Sequence, residues 1–265
     1  MDNRPIGIFD SGLGGLTAVM ALRRLMPEED IVYFADSARV PYGEKRREEL
    51  LVMARQDLDL LASHAAKAII AACGTVSSNA AQILESYPLP VCGVLKPAVE
   101  VMSRIPGRAP LGIIATAASI RAGAFRQALA EKVPGRQILD LACPDFVPLI
   151  ESGHTRPEDP LLRRAVAEAL APAREAGLGA LLLGCTHYGI IAGAIRDYLG
   201  PEVALVSASD CVAEVTCRQL QALGLTGGSG RTRYFTSGDA AAFSAAASAL
   251  RGQEIQAEHV PPMGI

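Results

Sequence analysis

The sequence predicts an α/β protein made of two pseudo-symmetric, three-layer α/β domains with mainly parallel sheets and a ligand site in the cleft between them. Short β-rich apolar runs alternate with amphipathic stretches along the chain, the pattern of parallel strands covered by helices on both faces. At 265 residues, 50% of them hydrophobic, the chain can bury one large core or two modest ones. An internal repeat pairs Pro5-Ile-Gly-Ile-Phe-Asp-Ser-Gly12 with Pro110-Leu-Gly-Ile-Ile-Ala-Thr-Ala117, and Ala68-Ile-Ile-Ala-Ala-Cys73-Gly-Thr75 with Ala180-Leu-Leu-Leu-Gly-Cys185-Thr186. Two matches in the same order and at similar offsets point to two related halves.

In chain order, apolar runs predict strands over Ile6–Phe9, Ile31–Phe34, Ala68–Ala72, Val91–Val94, Leu111–Ala115, Gln137–Leu141, Ala180–Leu183, Val203–Val206 and Arg233–Thr236. Helical segments separate them. Over Arg46–Leu61, for example, Leu50, Leu51, Ala54, Leu58 and Leu61 recur at helical spacing. In such sheets the ligand crevice lies beyond the carboxyl ends of the strands, so the residues that follow each strand carry most weight.

Composition narrows the partners. Lys plus Arg total 25 against 28 for Asp plus Glu, a formal charge of -3, so no basic face points to nucleic acid. No apolar run approaches the roughly 18 residues of a membrane span, and Met-Asp-Asn-Arg-Pro leads into the first strand without a signal-like segment. The expectation is a cytoplasmic protein. Cysteines at 73, 92, 143, 185, 211 and 217 form no C-x-x-C pair, which argues against a zinc ribbon or a thioredoxin motif and for reduced thiols.

Asp10-Ser11-Gly12-Leu13-Gly14-Gly15 follows the first strand, and Asp36 follows the second. The dinucleotide pattern fails because Thr17 stands where the third glycine or alanine is needed, and the Asp10 carboxylate would sit where pyrophosphate needs donors. A phosphatase-type nucleophile loop would want an acid at Gly12. What the loop offers is a carboxylate, a hydroxyl and free N–H groups at a helix start, suited to one carboxylate and one ammonium; the plain alternative is a tight turn capped by Asp10. Asp36-Ser-Ala-Arg-Val-Pro41-Tyr42-Gly43 is a loop at the same edge. Tyr42 either offers its hydroxyl to the cleft or packs on the domain edge, and sequence alone favours packing.

Cys73 and Cys185 each end an apolar strand and are followed closely by Thr75 and Thr186, with His187 beyond the second. A free cysteine is usually a small buried hydrophobe. Two at equivalent strand ends, each leading into a helix start, could form a thiolate and a thiol facing across one substrate carbon. Cys92, Cys143, Cys211 and Cys217 are assigned to packing, His64 and His259 to the surface, and His154 to a polar loop. Glu151 reads either as a helix-end carboxylate or as a cleft residue that tunes His187.

The ordered set Gly7-Ile-Phe-Asp10-Ser11-Gly12-Leu-Gly-Gly15, Tyr33-Phe-Ala-Asp36-Ser-Ala-Arg-Val-Pro41-Tyr42-Gly43, Ala72-Cys73-Gly-Thr75 and Leu183-Gly-Cys185-Thr186-His187-Tyr188 resembles glutamate racemases of the aspartate/glutamate racemase superfamily. The resemblance spans nearly the whole chain, including Phe146 to Glu151 and Tyr234-Phe-Thr-Ser-Gly-Asp239. It implies cofactor-independent racemisation, with Cys73 the base for one enantiomer and Cys185 for the other, Asp10 assisting the first thiol and His187 the second. Ser11, Pro41, Tyr42, Gly43, Gly74, Thr75, Thr116, Ser119, Thr186 and His187 would bind substrate with Asp10, and Asp36 and Glu151 would be auxiliary.

The resemblance also implies a discontinuous first domain, residues 1–97 plus 208–265, and a second over 98–207. It implies no metal or cofactor, a homodimer, and a supply of D-glutamate for peptidoglycan and hence cell-wall biogenesis and cell shape. The chain departs from the family pattern in places. The usual Cys-Asn-Thr reads Cys73-Gly74-Thr75, a Glu-Pro reads Lys96-Pro97, the proline after Thr-His-Tyr reads Gly189, and an acidic position reads Ser207. The alternatives are a racemase of aspartate or another acidic amino acid, and a non-catalytic amino-acid-binding protein on the same fold. A nicotinamide-dependent oxidoreductase is disfavoured by the broken glycine pattern.

Overall fold

A computed structural model describes residues 2–262. Ten strands form two sheets: β1 (Ile6–Asp10), β2 (Ile31–Ala35), β3 (Ala68–Ala71), β4 (Val91–Gly93), β5 (Leu111–Ala115), β6 (Ile138–Ala142), β7 (Ala180–Leu183), β8 (Ala204–Ser207), β9 (Thr232–Thr236) and β10 (Ala257–His259). The first sheet has the order β10-β9-β2-β1-β3-β4 and the second β6-β5-β7-β8. Every pairing is parallel. All nine expected strands are present, each end within one residue of its expected position. The expected helix over Arg46–Leu61 runs Arg47–Ser63.

β10 is the strand sequence reading missed. It is three residues long, and Glu258 and His259 are exposed, so it carries no apolar signal; it is held by pairing with β9 and by the Ala257 amide, which donates to Ser244 Oγ of the helix Ala240–Arg251 at 2.9 Å.

The internal repeat extends to topology. β2-β1-β3-β4 and β6-β5-β7-β8 share one order, with β1 matched to β5 and β3 to β7, the strands whose sequences repeat. In each sheet the chain leaves the central strand to one side and returns on the other, so a switch point opens between β1 and β3, and again between β5 and β7. Asp10 and Cys73 border the first switch point. Thr116 and Cys185 border the second.

Strand alternation sorts β1 between two cores. Ile6 and Ile8 pack with Leu16, Val19 and Leu22 of the helix Leu16–Leu25, while Phe9 packs with Phe34, Ile69, Leu58 and Leu61. The cluster containing Ile6 continues into the second sheet through Val99, Val212, Leu111, Ile113 and Leu182, so one apolar core joins the two sheets. Behind the first sheet, the fully buried Lys67 donates to Glu29 Oε2 at 2.5 Å and to the Asp2 carbonyl at 2.7 Å. Among the described residues, no helix is long and apolar enough to cross a membrane.

Candidate active site

The carboxyl ends of β1, β3, β5 and β7 converge on a cavity of about 60 Å³ lined from both halves of the fold. Asp10, Ser11, Cys73, Gly74 and Thr75 contribute from the first sheet's side, and Thr116, Cys185, Thr186 and His187 from the second. Cys73 precedes the helix Gly74–Asn79 and Cys185 precedes the short 3-10 turn Thr186–Gly189. The two thiols therefore occupy equivalent places at repeat-related strand ends, on the walls of one cleft.

Their surroundings differ. Cys73 lies 4% exposed; burial pushes its thiol above the ordinary range and the nearby Asp10 charge adds to this, against the Thr75 and Val76 amides that favour a thiolate. The sequence expectation that a helix start would activate this thiol is outweighed by burial in the closed cleft. Cys185 Sγ instead sits 3.8 Å from His187 Nδ1, and His187 Nε2 lies 2.7 Å from Glu151 Oε1. Burial disfavours the imidazolium, yet Cys185 and Glu151 together raise the His187 pKa well above its usual value. Glu151 is likewise opposed by burial but held low by His187 and by the Leu13 amide, which donates to Oε1 at 3.0 Å. Glu151 ends the helix Phe146–Glu151 and its carboxylate meets the imidazole, while it does not itself line the cavity.

That same geometry explains the glycine-rich loop. A Cβ on Gly12 would lie 2.4 Å from Glu151 Oε1, and one on Gly14 would lie 2.3 Å from His187 Nδ1. The loop lacks side chains where the other half inserts its imidazole and carboxylate, which is why it imitates a nucleotide fingerprint without completing one. Asp10 does not cap the following helix: Oδ1 accepts from the Gly12 amide at 3.0 Å and Oδ2 from the Thr186 hydroxyl at 2.9 Å. Burial raises its pKa, with the His187 charge opposing.

Hydroxyls cross the cleft at its other end. Thr75 Oγ1 is 2.9 Å from Thr116 Oγ1, which is 3.0 Å from Ser119 Oγ. Ser119 supports Thr116 from behind and is not on the cavity wall. Pro41, Tyr42 and Gly43 do line the cavity, but the Tyr42 hydroxyl is committed elsewhere, donating to Asp36 and lying 3.1 Å from Asp57 Oδ2. Neither reading from sequence describes it alone: the ring lines the cavity and the hydroxyl is bound in a buried acidic cluster. Asp36 is fully buried behind that wall, bonded also to Arg39 at 2.5 Å and Ser237 at 2.7 Å.

Several residues of the neighbourhood escaped sequence reading, Glu44 and Pro144 on the cavity wall among them. Asp57 is fully buried and completes the Asp36–Arg39–Tyr42 cluster; its signal was an acid beside Ala54, Leu58 and Leu61 on an apolar helix face. Cys143, expected only to pack, also lines the cavity, and burial raises its thiol to about 12. Like Cys73 and Cys185 it follows a strand, β6, and that position was the available clue.

Fold and site together define a class: a parallel α/β protein whose two repeat-related halves each present a strand-end cysteine to one closed cleft. The pattern of the Asp/Glu/Hydantoin racemase family matches residues 17–216. The glutamate racemase of a Picosynechococcus species is 36% identical over 97% of this chain and 91% of its own length. Glutamate racemase from Francisella tularensis, solved in complex with D-glutamate, superposes with a TM-score of 0.90 at 32% identity, covering 99% of both chains. The Thermus thermophilus enzyme, solved with beta-chloro-D-alanine, gives 0.87 at 38% identity, covering 98% of both. The chain belongs to the Asp/Glu/Hydantoin racemase family.

Proposed function

We propose that this protein interconverts L- and D-glutamate without a cofactor, using Cys73 and Cys185 as a thiol/thiolate pair. The observation that carries this reading is the placement of both cysteines at equivalent strand ends facing one cleft. Proton removal at an α-carbon and return from the opposite side need two groups on opposite walls. Family membership and relatives that bear the name glutamate racemase support the substrate.

In one direction Cys185 acts as the base, beside the His187 side chain that Glu151 holds. Its sulfur takes the Cα proton, so the Cα–H bond breaks, an S–H bond forms, and the electron pair is spread into the substrate carboxylate. Cys73, kept as a thiol by burial, gives its proton to the opposite face. A Cα–H bond of inverted configuration forms and Cys73 is left as the thiolate. After product release, return of a proton from Cys185 to Cys73 through solvent restores the starting state, with no oxidant or reductant consumed. Thr75, Thr116, Thr186, Ser11 and the backbone of Gly43 and Gly74 supply donors for the substrate carboxylates, and Asp10 an acceptor for its ammonium.

The same reading assigns residues 1–97 plus 208–265 to one domain and 98–207 to the other, in line with which strands belong to which sheet. It assigns the protein to the cytoplasm, as a homodimer, supplying D-glutamate for peptidoglycan. The test is substitution at three thiols, followed by optical rotation of either enantiomer. Cys73→Ala and Cys185→Ala abolish racemisation, while Cys92→Ala, which is outside the cavity, leaves turnover nearly intact. Equal tolerance at all three positions would sink the proposal.

A further inference from the structure

Gly74 stands where the two halves meet. It opens the helix that follows Cys73, and a Cβ built on it would lie 2.0 Å from the Gly184 carbonyl oxygen, 3.2 Å from the Gly184 carbonyl carbon and 3.6 Å from Cys185 Cα. All three atoms belong to the other sheet's strand end, immediately before or at the second thiol. The obstacle is backbone at the end of β7, where the Gly184 amide is tied to the Ile114 carbonyl at 2.8 Å, so it cannot turn aside as a side chain would.

Glycine is a poor choice here on every other ground. Its backbone torsion lies outside the left-handed region, so no turn requires it. In a helix, glycine is worth about 1 kcal/mol less than alanine. What it supplies is space, at the one position where the resemblance leads one to expect an asparagine.

We infer that Gly74 is a spacing residue for the proton-transfer pair: by carrying no side chain it lets the Cys73 and Cys185 strand ends close to their working separation. This rests on the two-thiol reading above. Any side chain at 74 must push the two strand ends apart by about 1.4 Å to reach an ordinary contact, and misplacement on the scale of about 1 Å already costs on the order of 10²-fold in rate. The loss in kcat exceeds the change in KM, because proton transfer needs both thiols at reacting distance, whereas each carboxylate donor, the Gly74 amide included, is retained on its own wall. Asparagine, the residue of the family pattern, is harmful in this chain because the facing backbone has closed on the space it would fill.

The experiment compares wild type with Gly74→Ala and Gly74→Asn in the reduced full-length protein. Steady-state racemisation of glutamate is expected to show kcat lowered about 10²-fold for Ala and further for Asn, with KM changed less than about threefold. In parallel, alkylation by N-ethylmaleimide is followed at each cysteine by peptide mass spectrometry. Cys73 and Cys185, 4% and 6% exposed, are expected to react at least about tenfold faster in both variants, because opened strand ends admit the reagent. Cys211 and Cys217, in the core helix Ala208–Ala222, keep their wild-type rates. Unchanged labelling of Cys73 and Cys185 would overturn the proposal, as would an Asn variant with wild-type kcat. Faster labelling of Cys211 and Cys217 would also overturn it, since Gly74 would then be needed for folding rather than for spacing. If wild type shows no turnover on glutamate, the function proposed above fails, and the labelling rates still decide the spacing question.

Discussion

Glu151→Gln removes one charge and little else from the site. In the native arrangement one carboxylate oxygen receives both His187 Nε2 at 2.7 Å and the Leu13 amide at 3.0 Å; the amide oxygen of glutamine can accept from both. The substitution exchanges a charge-assisted hydrogen bond, worth about 1.5–3 kcal/mol, for a neutral one of about 0.5–1.5 kcal/mol. A loss of about 1–2 kcal/mol in the stability of the imidazolium corresponds to roughly 5- to 30-fold in kcat/KM.

The pH dependence is the more specific readout. The His187 pKa is raised in the folded protein, so the stability this cation contributes is fully present below its unfolded value and is lost as pH rises through the folded one. The alkaline limb of kcat/KM is expected to report that loss at His187. Without the Glu151 charge the limb moves to lower pH, and a Glu151→Gln profile superimposing on wild type would refute the proposed Cys185–His187–Glu151 relay.

Gly14→Ala drives a methyl group to within 2.3 Å of His187 Nδ1, whereas Gly189→Ala meets only Thr17 Cγ2 at 3.4 Å; turnover assays should show about 10²-fold loss for the first and little for the second. Lys67→Ala strands the buried Glu29 and is expected to lower unfolding free energy by about 3–5 kcal/mol in a urea titration. Arg24→Ala, which breaks the exposed Arg24–Asp210 pair, changes stability by at most about 1 kcal/mol on the same measurement.

The apolar runs located the strands because parallel strands buried on both faces must be nearly continuously apolar, as Ile6–Phe9 and Ala180–Leu183 are. The repeat then aligned Cys73 with Cys185, since equal topology brings equal strand ends to equal edges. What stayed hidden was set by contacts between distant segments. The burial that raises the Cys73 thiol depends on closure against the other half. Likewise, the engagement of Tyr42 with Asp36 and Asp57 depends on a helix that begins beyond the loop. The glycines at 12 and 14 looked like phosphate-loop residues, and only the imidazole and carboxylate arriving from 139 or more residues downstream give them another purpose. Gly74 was visible as a departure from the family pattern. The Gly184 carbonyl that makes it necessary was not.

The central claim is that a cofactor-free thiol pair inverts the α-carbon of glutamate, and isotope exchange tests it most directly. Reduced protein in D2O is incubated with D-glutamate, and separately with D-aspartate, while the Cα proton signal is followed by NMR. The account predicts loss of the glutamate Cα proton together with appearance of the L enantiomer, both abolished by Cys185→Ala. Exchange of aspartate alone, or of neither substrate in protein shown to be folded, would contradict it.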